Sequence, residues 1–170
     1  MENIKCIVFD FDDTIVLSEE MKQKAFYEIS SKYKQKGIEY YNNNISKKPT
    51  REQYCKGLSQ YIIEHSLVDN ESSIYLYTLL LEEFNNKVSS NLKNSKELPS
   101  VRQFIEYIFN KGYTLYISSK SNEKDIIETL KYKDLLKYFK GIYGLPNPKI
   151  EHFKHIQKLE NINGNEICFI

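Results

Sequence analysis

Three aspartates crowd the end of an apolar run near the start of the chain: CIVFDFDDTIV, Cys6 to Val16, carries Asp10, Asp12 and Asp13. Clustered carboxylates repel one another and resist burial, so the group implies something that compensates its charge. Asp10 and Asp12 are two residues apart, which in locally extended chain puts them on the same side. One carboxylate of such a pair can attack phosphorus, forming an aspartyl-phosphate and dividing one hard displacement into two. The other can protonate the leaving oxygen and then activate water. Hard oxygen ligands of this kind suit Mg²⁺, which would also screen an anionic nucleophile from an anionic phosphate. Far along the chain, Ser118 and Ser119 offer hydroxyls to phosphoryl oxygens, and Lys149 offers an ammonium to charge that develops during transfer. The chemistry this set suggests is phosphoryl transfer.

These residues need elements to carry them. Ile4 to Phe9 reads as a short buried strand of the parallel-sheet kind. A long helical stretch follows, from about Ser18 to Leu92. Met21, Ala25, Phe26, Ile29 and Tyr33 form one stripe, and Gly37 stands where a helix would stop. EYYNNNISKKP reads as a polar loop ending at Pro49. Thr50 with Gln53 three residues on makes a capping box, opening a helix with Tyr54, Leu58, Tyr61 and Ile62 inward. A third helix follows Asn70, with Ile74, Leu79, Leu80 and Phe84 inward.

Past Pro99 strands and helices alternate. Val101, Phe104, Ile105 and Ile108 make a helical stripe ending before Gly112, and Tyr113 to Ile117 a strand. Ser121 to Leu130 is a helix, Gly141 to Gly144 a strand, Lys149 to Leu159 a helix and Glu166 to Ile170 a last strand. The expected fold class is therefore α/β, a Rossmann-like parallel sheet interrupted after its first strand by an all-helical insertion. In such sheets ligands gather at the carboxyl ends of strands. Asp10, Ser118 and Lys149 all follow or close strands, so three separate segments converge on one edge.

Bulk properties narrow the function. The net charge of +1 leaves no electrostatic footprint for nucleic acid or an anionic membrane. No apolar run approaches membrane-spanning length, and the amino terminus lacks a secretory pattern. Three cysteines without metal spacing point to free thiols in a reducing compartment, hence the cytoplasm, with Cys6 and Cys168 expected in the core. Each chemical motif also has a plain alternative. DFDDT could be a turn that caps the next helix, SSKSN a strand-to-helix turn with Ser121 as cap, and Lys149 a surface lysine.

Taken in order, FDFDDT, YTLYISSKSN and GLPNPKIEHF resemble the haloacid dehalogenase superfamily of phosphohydrolases. Its phosphatases with a helical cap, on the phosphoglycolate phosphatase and β-phosphoglucomutase pattern, are the nearest match. The first motif is a strand ending in D-x-D-x-[TV], met by Asp10 to Thr14. The second is an apolar strand ending in Ser or Thr, met at Ser118. The third is a lysine at a helix start, met by Lys149. The resemblance implies an α/β core over residues 1–16 and 96–170 and a cap over 17–95. It makes Asp10 the nucleophile, Asp12 the general acid/base, and Ser118, Ser119 and Lys149 the phosphate-binding groups. Asp10's carboxylate and Asp12's carbonyl would hold Mg²⁺, and the substrate would be a small phosphorylated metabolite. Arg51 and Lys48, in a stretch resembling the family's specificity loop, would meet a second polar group of that substrate; the plain alternative there is a solvated loop.

One element of the pattern is missing. The family's fourth motif places an acidic loop after another apolar strand; NEICFI fits the strand, and the given sequence ends at Ile170. The expectation is an incomplete metal shell and an unprotected strand edge open to self-association. A phosphomutase, or a binding module that retains the fold with impaired catalysis, are the rival readings.

Overall fold

A computed structural model describes residues 3–68 and 72–170. Two compact units are formed: one takes in the chain as far as Glu19 and resumes at Leu92, the other runs from Glu20 to Asn91.

The first unit is built on four parallel strands, β1 (Cys6–Phe9), β2 (Thr114–Asn122), β3 (Gly141–Leu145) and β4 (Ile167–Phe169), in the order β3-β2-β1-β4. β1 is fully buried, as its unbroken run of apolar side chains requires when both faces of a sheet are covered. Its register sets Phe9 against Ile117 of β2 and Val8 against Phe169 of β4. On one face Cys6 and Val8 pack with Tyr116 and with Ile156 of α7 (Lys149–Glu160). On the other, Phe9 meets the edges of Phe104 and Phe139. The helix α5 (Val101–Asn110) buries Val101, Ile105 and Ile108 as its spacing predicts, but Phe104 stays 41% exposed.

β2 runs past the expected strand end to Asn122, so Ser118, Ser119 and Ser121 all belong to it. Consequently α6 (Glu123–Tyr132) is capped by Asn122, whose side chain accepts from the N–H groups of Lys124 and Asp125, and not by Ser121. Cys6 is buried; Cys168, on the edge strand β4, is only partly so.

The second unit is helical: α1 (Glu19–Ser31, which begins at the end of the first unit), α2 (Lys34–Asn44), α3 (Arg51–Glu64) and α4 (Ser73–Leu92). Its core joins Phe26, Ile29, Tyr54, Leu58, Ile62, Leu80 and Phe84. Phe26 stacks on Phe84, and Ser30 and Tyr54 share a buried hydroxyl hydrogen bond of 2.7 Å. The capping box at Thr50 and Gln53 forms as its sequence prescribes.

Three expectations fail here. Gly37 does not end a helix; it lies buried within α2, where an added Cβ would come within 1.9 Å of the Ser30 carbonyl oxygen. Its role is close approach of one helix to the end of another. The supposed loop EYYNNN is the second half of α2, held by tyrosines that pack rather than by an apolar stripe: Tyr40 meets Tyr54 edge-on at 5.4 Å. In α4, Ile74 and Leu79 face out, and Leu76 joins Leu80 and Phe84 inside. At the helix start the inward residue is therefore Leu76, two positions on from the expected Ile74. The start expected at Asn70 lies outside the described residues.

Candidate active site

Each of the three aspartates has a different partner. Asp10 closes β1, the strand flanked by β2 and β4. Its Oδ1 accepts from the N–H of Phe11 at 2.8 Å, and its Oδ2 from Lys149 Nζ at 2.5 Å. Lys149, the first residue of α7, stands between that carboxylate and the ring of Phe169, whose centroid is 4.8 Å from Nζ. Both members of the pair are about a quarter exposed, so the ammonium compensates a carboxylate that solvent still reaches.

After Asp10 the chain turns sharply. Ile15 and Val16 both donate backbone hydrogen bonds to the Phe11 carbonyl, and Phe11, Ile15 and Val16 are fully buried. This apolar anchor fixes Asp12, whose Oδ2 accepts from Ser121 Oγ at 2.5 Å. Ser121 is itself held by Ser119, whose hydroxyl accepts its N–H at 3.0 Å. Asp13 takes a positive φ of 55° and accepts from the N–H groups of Ser18 and Glu19 at 2.8 and 3.1 Å. The plain alternative for DFDDT is thus correct for one residue: Asp13 caps the start of α1.

Ser118 is fully buried, and its hydroxyl lies 2.9 Å from Nδ1 of His152. Arg51 and Lys48 belong to the helical unit. There Arg51 pairs with Glu52 at 2.9 Å and donates to Asn85 at 3.0 Å, and Lys48 is exposed with a φ of 48°. A cavity of about 520 Å³ in the first unit is lined by Lys5, Lys111 and Glu160 at the amino ends of the strands, and by none of the predicted site residues.

The structure therefore brings Asp10 to Lys149 and Asp12 to Ser121. Ser121 is the site partner that sequence reasoning passed over. Ser121 has no sequence signal for this role, since its partner is 109 positions away. His152 sits in the quoted GLPNPKIEHF, one helical turn beyond Lys149, where Glu151, His152 and His155 share a helix and a supporting or surface role is the expected one.

The donor chemistry fits a hard divalent cation. Asp10 accepts one hydrogen bond on each oxygen, where a carboxylate can take about four in all. Among the described residues no group of three or more His, Cys, Asp or Glu converges. Mg²⁺ commonly uses one or two carboxylates and completes its shell with water and substrate phosphate.

The parallel sheet thus presents a carboxylate at the end of an inner strand, met by a lysine from a later helix. Residues 7–170 match the model of the haloacid dehalogenase-like hydrolase family, and the chain belongs to it. It is similar to the phosphorylated carbohydrates phosphatase of Thermotoga maritima, with 24% identity over 167 residues, 94% of this chain and 71% of that one. Its fold matches that of a predicted phosphoglycolate phosphatase from Haemophilus somnus, with a TM-score of 0.71, 19% identity and coverage of 99% and 77%. It also matches YfnB from Bacillus subtilis, described as bound to magnesium, with a TM-score of 0.61, 16% identity and coverage of 98% and 79%. No described helix is long and apolar enough to cross a membrane.

Proposed function

We propose that this protein is a Mg²⁺-dependent phosphohydrolase that removes phosphate from small phosphorylated metabolites through an aspartyl-phosphate on Asp10. The observation that carries the reading is the 2.5 Å contact between Asp10 and Lys149, residues 139 positions apart that join at the end of an inner strand. In the first step an Asp10 carboxylate oxygen attacks phosphorus and the bond to the leaving oxygen breaks, while Asp12 gives that oxygen a proton. In the second, Asp12 takes a proton from water, the water oxygen attacks phosphorus, and the bond to Asp10 breaks to release inorganic phosphate. Lys149 compensates Asp10 at rest and the phosphoryl oxygens as charge shifts onto them. Ser121 holds Asp12 in place, and its hydroxyl can follow the carboxylate through both protonation states. A bound Mg²⁺, held by Asp10 and Asp12, supplies further screening between nucleophile and phosphate.

The similarity to a phosphatase of phosphorylated carbohydrates supports a metabolite substrate. Three free cysteines support work in a reducing cytoplasm. The helical unit, with Arg51 and Lys48, is the proposed source of substrate choice. Phosphate release from a panel of phosphorylated metabolites, with Mg²⁺ and with chelator, tests the reading in wild type and Asp10→Asn. Mg²⁺-dependent release lost on substitution supports it. Release that survives Asp10→Asn, or no release from any substrate, rejects it.

A further inference from the structure

His152 takes no part in those steps, yet it ties three pieces of the site together. It lies one turn along α7 from Lys149 and is 3% exposed. Its Nδ1 is 2.9 Å from Ser118 Oγ and its Nε2 is 3.2 Å from the carbonyl oxygen of Gly144. A carbonyl only accepts, so the proton is on Nε2, and Nδ1 is an acceptor to which the Ser118 hydroxyl donates. Ser118 and Gly144 belong to the carboxyl halves of β2 and β3, paired strands of the sheet. The imidazole therefore bolts the first turn of α7 to two neighbouring strands. Lys149 begins that turn, and a long flexible side chain holds a fixed partner only when the backbone beneath it is fixed.

We propose that His152 is a positioning residue, whose ring sets the seat of Lys149 and the direction of the Ser118 hydroxyl without touching the reacting atoms. The assignment rests on the reading of Asp10 and Lys149 as the phosphoryl-transfer pair. It has a consequence for Ser118. With its hydrogen directed at Nδ1, the hydroxyl offers only lone pairs to any other group, so donation to a phosphoryl oxygen requires it to turn away from the ring. Burial pushes the imidazole below its ordinary range, while the backbone at Gly144 and Asn147 acts in the opposite direction. The facing charges oppose one another: Glu123 of α6 favours the protonated ring and Lys149 of α7 disfavours it, while burial is the larger influence.

Two readouts on the full chain test this. Acylation of Lys149 by an amine-reactive reagent, followed by peptide mass spectrometry, reports how well Asp10 holds the ammonium. Hydrolysis of p-nitrophenyl phosphate, with kcat and KM separated, reports the chemistry. His152→Phe keeps a ring and removes both hydrogen bonds. Asn places an acceptor near Nδ1, and Gln a donor near Nε2. Expected for His152→Phe are several-fold faster Lys149 acylation and a kcat lowered about tenfold or more, with His152→Asn and His152→Gln recovering part of each loss. A folded His152→Phe with wild-type acylation and wild-type kcat overturns the proposal. Should the Phe variant fail to fold, Asn and Gln carry the test, and wild-type values of both readouts in both variants overturn it. A nitrogen-detected spectrum showing the ring proton on Nδ1 overturns it as well. If even wild type releases no phosphate, the proposed function fails, while Lys149 acylation still decides the seat.

Discussion

The two units use the same polar residue types for opposite ends. In the helical unit, charged and hydroxyl groups serve neighbours of the same unit: Arg51 bonds Asn85, Lys87 bonds Glu28, and Ser30 bonds Tyr54. In the α/β unit, comparable groups are drawn from distant segments to the ends of parallel strands, where solvent still reaches them: Lys149 to Asp10, Ser121 to Asp12. A helix bundle can settle its polar groups along its own surfaces. A parallel sheet has all its strand ends at one edge, so unrelated segments meet there. Distant polar groups meet where topology forces convergence, and the helical unit is organised chiefly by packing.

That contrast can be broken by substitutions whose effects fall on the wrong side of it. The largest effect expected is on catalysis: Asp10→Asn should lower phosphate release by about a thousandfold or more, with little change in melting temperature. A fall in melting temperature with activity retained would place Asp10 on the structural side. Next, Phe84→Ala should destabilise the helical unit by about 3–5 kcal/mol by opening a cavity beside Phe26, as read by denaturant unfolding. A loss below about 1 kcal/mol would show that this core is not the packed unit described. Asn122→Ala should cost the α/β unit about 1 kcal/mol by removing the cap of α6. Here a neutral result would move the boundary between β2 and α6.

The smallest effect is one of pH. Burial lowers the pKa of His152 below the ordinary imidazole value of 6.5, so the unfolded chain binds a proton more readily than the folded one. The linked stability is complete above the unfolded value and declines as pH falls below about 6.5 toward the lower folded value. His152→Phe should flatten that decline in unfolding measurements between pH 7 and 5, and an unchanged slope would reject the linkage.

Sequence made some of this legible and not the rest, for physical reasons. β1 could be read because a strand buried on both faces is an unbroken apolar run. The cap at Thr50 could be read because both partners are local. α2 could not, since tyrosine and asparagine carry no helical stripe and the packing that stabilises the helix comes from α3. At the site, Asp10, Asp12 and Lys149 stood out by type and position near strand ends. Ser121 did not, because a serine near a helix start looks like a cap until Asn122 is seen to hold that place. Ser118 was legible as a hydroxyl at the expected carboxyl end of its strand, but not the direction of that hydroxyl, which depends on an imidazole from another element.

The cysteines give the two units separate clocks. Cys6 lies in β1 and Cys55 in α3, both buried, and burial pushes each thiol up to about 12. Neither should react with a disulfide reagent until its own surroundings open. Timing the appearance of label at each position would then record how often the α/β unit and the helical unit breathe, one signal per unit, in the native chain and without any introduced probe.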